Sequence, residues 1–120
     1  MAKILVADDA AFMRMRLSNL LTEAGHTVVE ATNGAEAVEQ YRQERPDLVL
    51  LDITMPVMDG LAAIEAIRAL DPAARIVVCS SLGQQAIVLK AIQSGARDFI
   101  VKPFQPDRVL GAVERVLSTS

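Results

Sequence analysis

The sequence predicts an α/β fold: a doubly wound, five-stranded parallel sheet of strand order 2-1-3-4-5. Three observations carry that prediction. Five short apolar runs alternate with five longer amphipathic stretches. The connections between the runs are short enough to allow only right-handed crossovers. Finally, 120 residues that are 52% hydrophobic but 3% aromatic require an interior of Ala, Val, Ile, Leu and Met, a composition suited to helices layered on a sheet.

The strands are expected at Lys3 to Ala7, Thr27 to Ala31, Asp47 to Leu51, Arg75 to Cys79 and Asp98 to Val101, each rich in Val, Ile and Leu as buried parallel strands are. A helix follows each one. The first shows Met13, Leu17 and Leu20 at helical spacing and the second Ala37, Val38 and Tyr41. The third shows Ile64 and Ile67, the fourth Val88, Ala91 and Ile92, and the fifth Val109, Val113 and Val116. Gly25 and Gly95 stand where left-handed C-caps belong, and Pro46, Pro72 and Pro103 punctuate helix ends and strand starts. A closed eight-fold barrel needs about twice this length. The scaling of surface with mass gives about 6,300 Å² exposed when folded against about 18,700 Å² unfolded, so the chain buries a core without staples. One domain over residues 1–120 is expected, with no linker or low-complexity segment.

Composition excludes several classes of function. Twelve basic and fifteen acidic side chains give a net charge of −3, and with few aromatics this argues against nucleic acid. No apolar run approaches the roughly 20 residues of a membrane helix, and Asp8 follows the first strand too closely for a secretory signal. A single cysteine closes no intramolecular disulfide, and no Cys/His cluster suits zinc. A cytoplasmic protein with no appended output domain is therefore expected.

In an open α/β sheet, ligands bind beyond the carboxyl ends of the strands, at the point where strand order reverses. There the first strand delivers Asp8 and Asp9, the third Asp52, the fourth Ser80 and Ser81, and the fifth Lys102 and Pro103. Asp9 by itself also reads as an N-cap of the first helix, Ser80 as a cap of the fourth, and Lys102 as a solvated strand end. Capping explains one carboxylate of the doublet, not two. Three carboxylates at one site repel unless a cation is present, and an all-oxygen set favours a hard ion such as Mg²⁺. Asp52, anchored on an apolar strand, then suits nucleophilic attack on phosphorus with formation of an aspartyl phosphate. The Lys102 ammonium and the Ser80 hydroxyl suit two phosphoryl oxygens.

With these residues placed, the sequence resembles the receiver domains of two-component response regulators. Asp8-Asp9, the stretch Asp52-Ile-Thr-Met-Pro-Val-Met-Asp-Gly60, Ser80 and Asp98-Phe-Ile-Val-Lys-Pro103 stand in the family's order and spacing over the whole chain. The resemblance implies a flavodoxin-like fold and a phosphoryl group accepted on Asp52 from a histidine kinase phosphohistidine. It also implies Mg²⁺ held by Asp9, Asp52 and the main-chain carbonyl of Thr54, with Asp8 acting through water. Ser80 and Lys102 would contact the phosphoryl oxygens, and a cis Lys102-Pro103 bond is expected. Ser80 and Phe99 would form the switch pair, Ser80 moving toward the phosphoryl group and Phe99 turning inward behind it. Strand parity also permits the Phe99 ring to serve the outer surface or to cover an edge strand. Thr54 and Leu82 resemble the positions that tune water access to the acyl phosphate, and an apolar Leu82 predicts slow self-hydrolysis.

The implied output is a change of protein partner through the face made by the fourth helix, fifth strand and fifth helix, with a flagellar motor switch protein, a kinase or a phosphatase as candidate partners and the protein itself a monomer. It is read as a phospho-acceptor rather than an enzyme. The competing reading is an Mg²⁺-dependent aspartyl-phosphate phosphatase, although such enzymes resemble Asp-X-Asp after the first strand and usually carry a cap domain. A mononucleotide binder would place a hydroxyl- and glycine-rich phosphate loop where Asp8-Asp9 stand, a receiver in another phosphorelay would use the same residues, and an interaction module would leave the acids without work. His26 reads as a solvated turn residue, Cys79 as a small core hydrophobe, and Lys90 and Arg97 as solvated charges. Met13, Met15, Met55 and Met58 read as packing residues around the site.

Overall fold

The computed structural model describes residues 1–55 and 57–119. Pro56, inside the Met-Pro motif, and Ser120, the last residue of the expected domain, lie outside the described residues. The elements alternate as expected: β1 (Lys3–Ala7), α1 (Ala11–Glu23), β2 (Thr27–Ala31), α2 (Gly34–Glu44), β3 (Leu48–Leu51), α3 (Gly60–Leu70), β4 (Ile76–Ser80), α4 (Gln85–Ser94), β5 (Asp98–Val101) and α5 (Pro106–Leu117). The strands form one parallel sheet in the order β2-β1-β3-β4-β5. Among the described residues, no helix is long and apolar enough to cross a membrane.

Side-chain alternation sorts the strands onto two cores. Ile4 and Val6, Leu48 and Leu50, Val77 and Cys79, and Ile100 face α1 and α5, where they meet Leu17, Leu21, Val109 and Val113. Leu5, Val49, Leu51, Ile76, Val78 and Phe99 face α2, α3 and α4 and meet Tyr41, Ile64, Ile67 and Ala91. Both faces are covered, which is why these strands read as continuous apolar runs rather than alternating ones.

Two strands differ from expectation, β3 at its start and β4 at both ends, each by one residue. β3 begins at Leu48 because Asp47 turns its carboxylate back to accept the Lys3 N–H at 2.8 Å. β4 runs on to Ser80, which pairs with Val101 of β5. Gly25 and Gly95 do take positive φ, 96° and 121°. His26 departs from its reading as a solvated residue: it is half-buried, and its Nδ1 accepts the Ala2 N–H at 3.2 Å. Arg97 is likewise not merely solvated, since its guanidinium donates to Thr119. Lys90 is exposed.

Candidate functional site

The sheet register brings the carboxylates together. Ala7 of β1 pairs with Leu51 of β3, so Asp8 and Asp52 are the next residues of adjacent strands. The ladder continues into them, with the Asp8 N–H donating to the Ala31 carbonyl at 3.1 Å and the Asp52 N–H to the Ala7 carbonyl at 2.9 Å. Both positions also share the parity of the strand residues that face α1 and α5. Carboxylate oxygens of Asp8, Asp9 and Asp52 lie within 4.8 Å of one another. Asp8 is 2% and Asp52 6% exposed, whereas Asp9 lies open to solvent.

Lys102 closes the group from β5. Its Nζ donates to Asp8 Oδ2 at 2.6 Å and to Asp52 Oδ2 at 3.3 Å. Burial works against the lysine charge, but the Asp8 hydrogen bond and the fields of Asp52 and Asp8 outweigh it, so the ammonium titrates above its ordinary value. The Lys102-Pro103 peptide is cis, as expected. The second oxygen of Asp52 accepts from the Thr54 N–H and hydroxyl, both at 3.2 Å. Ser80 is fully buried at the end of β4, where its Oγ accepts the Leu82 N–H at 3.2 Å.

The capping readings give way here. α1 has Ala10, not Asp9, as its N-cap residue, and it is the Asp8 Oδ1 that accepts the Ala10 N–H, at 2.9 Å. α4 begins after Gln84 with no side-chain cap, so Ser80 does not cap it. Phe99 is 8% exposed and belongs to the core beneath α4. Its ring therefore does not serve the outer surface, because the odd-numbered face of β5 turns toward α4 at that point; Val101, two residues on, is the exposed one. Cys79 is buried, and desolvation pushes its thiol up to about 12, which fits an inert core residue. Of the methionines, Met55 is buried, Met13 and Met58 are half-buried, and Met15 is exposed.

Close backbone approaches set the β3–α3 loop. A Cβ on Gly60 would lie 2.4 Å from the Asp52 carbonyl oxygen, and one on Gly34 would lie 2.0 Å from that of Met58. Both glycines let neighbouring main chain come within a distance that a methyl group forbids. Neither was singled out by sequence reasoning for this reason. Arg14 was missed too: its Nη1 donates to the Asp8 carbonyl at 2.7 Å, and only its position six residues after Asp8 hints at this.

The donor set fits a hard divalent cation. Three carboxylates against one ammonium leave −3 + 1 = −2 at a site with one solvent-facing member, and every candidate ligand atom is an oxygen. The same residues fit an incoming phosphoryl group, since Asp52 offers an oxygen toward Lys102 while its backbone is fixed by the sheet.

Comparison with known proteins agrees with this geometry. The family model described as the response regulator receiver domain matches residues 4–114. The chemotaxis protein CheY of Thermotoga maritima is 57% identical over 115 residues, covering 95% of this chain and 96% of that protein. That of Bacillus subtilis is 56% identical over 117 residues, covering 97% and 98%. Among solved structures, the CheX-CheY-BeF3-Mg²⁺ complex from Borrelia burgdorferi matches with a TM-score of 0.93 at 36% identity, over 98% of this chain and 90% of that one. Vibrio cholerae CheY4 matches with a TM-score of 0.92 at 31% identity, over 97% and 98%. With its sheet order, its acidic strand tips and these matches taken together, the chain belongs to the response regulator receiver domain family.

Proposed function

We propose that this receiver is a cytoplasmic, Mg²⁺-dependent phospho-acceptor switch that carries a chemotaxis signal, taking its phosphoryl group from a histidine kinase onto Asp52. The observation that carries the reading is Asp52 itself: a buried carboxylate fixed on β3, with one oxygen toward Lys102 and the other held by Thr54. The match to CheY proteins over nearly the whole chain supports the chemotaxis assignment.

In the transfer, a carboxylate oxygen of Asp52 attacks phosphorus, an O–P bond forms, and the P–N bond to the donor imidazole breaks with its electron pair returning to nitrogen. Asp9, Asp52 and the Thr54 carbonyl would hold the cation, with Asp8 reaching it through water. A bound divalent cation supplies charge neutralisation at the phosphoryl oxygens. Lys102 pairs with one of those oxygens and the Ser80 hydroxyl donates to another, which it can do while its oxygen still accepts the Leu82 N–H. Movement of Ser80 toward the phosphoryl group is read out with Phe99, whose ring is already buried before phosphorylation, at the face of α4, β5 and α5, which then changes its partner. A flagellar motor switch protein is the proposed downstream target. The solved Borrelia relative is a complex with CheX, which supports a further protein partner; a phosphatase is proposed as one such partner.

Incubation with acetyl phosphate and Mg²⁺, followed by intact mass measurement, tests the reading. A labile phosphoryl adduct is expected in the wild type and absent from Asp52→Asn. Steady phosphate release from varied substrates would point to the rival phosphatase instead.

A further inference from the structure

We infer that Arg14 is a positioning residue for divalent-cation binding: held by Glu30, its guanidinium fixes the Asp8–Asp9 peptide and so sets where the Asp9 carboxylate stands. The inference deepens the reading above and rests on it for the cation.

Two members of the acidic trio are anchored by other means. Asp8 has its N–H in the sheet ladder and its carboxylate on the Ala10 N–H and Lys102. Asp52 has its N–H in the ladder and its carboxylate on Thr54 and Lys102. Asp9 is different: it lies beyond the strand, is exposed, and its carboxylate pairs with nothing among the described residues. Its main chain places it, from two sides: the Ala10 N–H on Asp8 Oδ1 holds the peptide that follows Asp9, and the peptide that joins Asp9 to Asp8 is held separately. The Asp8 carbonyl and the Asp9 nitrogen and Cα share one plane, so a bond that orients that carbonyl orients Asp9.

Arg14 makes that bond. Nη1 donates to the Asp8 carbonyl oxygen at 2.7 Å while Nε donates to Glu30 Oε1 at 3.2 Å. The other Glu30 oxygen accepts from Ser18 at 3.2 Å, so β2 and α1 together hold the guanidinium. The arginine side chain is 17% exposed. A rigid fork with donors on separate nitrogens suits this bridge, and a lysine ammonium on a flexible stem does not.

Charge and position make opposite predictions, which renders the inference testable. Arg14 is a cation near a cation site, so if its charge alone mattered, removing it would tighten Mg²⁺ binding and Arg14→Lys would change nothing. If it positions Asp9, both Arg14→Gln and Arg14→Lys weaken binding, by about 10-fold as for other residues that orient metal ligands through hydrogen bonds.

Isothermal titration calorimetry with MgCl₂ on the whole chain reads this directly. The expected result is weaker Mg²⁺ binding in Arg14→Gln and Arg14→Lys, with a smaller loss in Glu30→Ala, which leaves Arg14 in place but removes the acceptor that holds it. In an Asp9→Asn background, Arg14→Lys should add no further loss, because the carboxylate it positions is gone. Unfolding in EDTA serves as the fold control, and if an Arg14 variant fails it, Glu30→Ala decides, because a loss that works through Asp9 vanishes in the Asp9→Asn background whereas a loss of charge alone persists there. Binding as tight as wild type or tighter in the folded variants overturns the role of Arg14 and leaves the phospho-acceptor reading standing. A wild type that takes up no Mg²⁺ overturns both.

Discussion

Lys102 stands closer to Asp8 than to Asp52, 2.6 Å against 3.3 Å. The ammonium therefore neutralises the carboxylate that is not the proposed nucleophile and leaves Asp52 the less strongly paired of the two. Among the described residues, Lys102 is the cation paired with Asp8 and Asp52. Lys102→Met should lower stability in EDTA by about 3 kcal/mol, the scale of a buried ion pair losing one partner. Removing the ammonium should tighten Mg²⁺ binding, and at saturating Mg²⁺ the gap to wild type then narrows by about 1.4 kcal/mol for each tenfold gained. Urea denaturation with and without Mg²⁺ measures both, and an equal loss in the two conditions would refute the account.

Two glycine substitutions should act in opposite directions. Gly34→Ala places a methyl group 2.0 Å from the Met58 carbonyl oxygen, so either α2 or the β3–α3 loop must shift, at a cost of about 1 to 3 kcal/mol. Gly111 lies within α5, and nothing stands within 4 Å of a Cβ there. Gly111→Ala should therefore stabilise by about 0.5 to 1 kcal/mol. Denaturant midpoints of the two variants check the contrast.

Acid should loosen α5 through Asp98. Arg108 donates to both Asp98 oxygens, and Arg115 pairs with one of them. Burial alone would raise the pKa of this carboxyl, but the Arg108 bonds, the Phe99 N–H and the arginine charges together hold it below its ordinary value. A depressed folded-state pKa contributes stability above the unfolded value, near 4, and loses it as pH falls through the folded one. The stability gap between wild type and Asp98→Asn should hold steady from pH 7 to pH 5 and close below about pH 4. A gap that widened on acidification would reverse the sign and reject the assignment.

Water access to the acyl phosphate should depend on position 82. Leu82 is half-buried beside Ser80 and contributes only its backbone N–H, bonded to the Ser80 hydroxyl. Its side chain offers nothing to orient a water molecule, so Leu82→Glu should lose its phosphoryl group faster than wild type. Time courses of adduct decay after donor removal test this, and unchanged decay would count against it.

Cys79 should be inert in the native state. Its thiol is buried and titrates at about 12, so little thiolate exists at pH 8. Reaction with a disulfide reagent should proceed at the rate of unfolding, and fast labelling of the folded protein would contradict its placement.

The architecture was readable in the sequence because covered parallel strands leave an unambiguous mark, as in the run Leu48 to Leu51, buried throughout. Strand ends were less so, because pairing decides them: Ser80 joins β4 only through Val101, and Asp47 leaves β3 to hold Lys3. The assembly of Asp8, Asp9, Asp52 and Lys102 at one edge followed from strand order, but which aspartate of the doublet is buried did not, since capping geometry and register settle it in space. The inward face of Phe99 was open to either reading, for parity fixes opposite faces without saying which is covered. The grip of Arg14 on a main-chain carbonyl leaves no trace in composition or periodicity.

The ladder bonds that run past β1 into Asp8 give the aspartate doublet unequal surroundings, one side chain interred and the other wet. Deleting one residue between Lys3 and Ala7 would slide the chain so that today's exposed acid enters the interior and its own place outside falls to Ala10. The amino-acid content would be almost unchanged, yet the charge available to a metal would fall by one, so this strand tolerates replacement of its apolar residues far better than any change in its length.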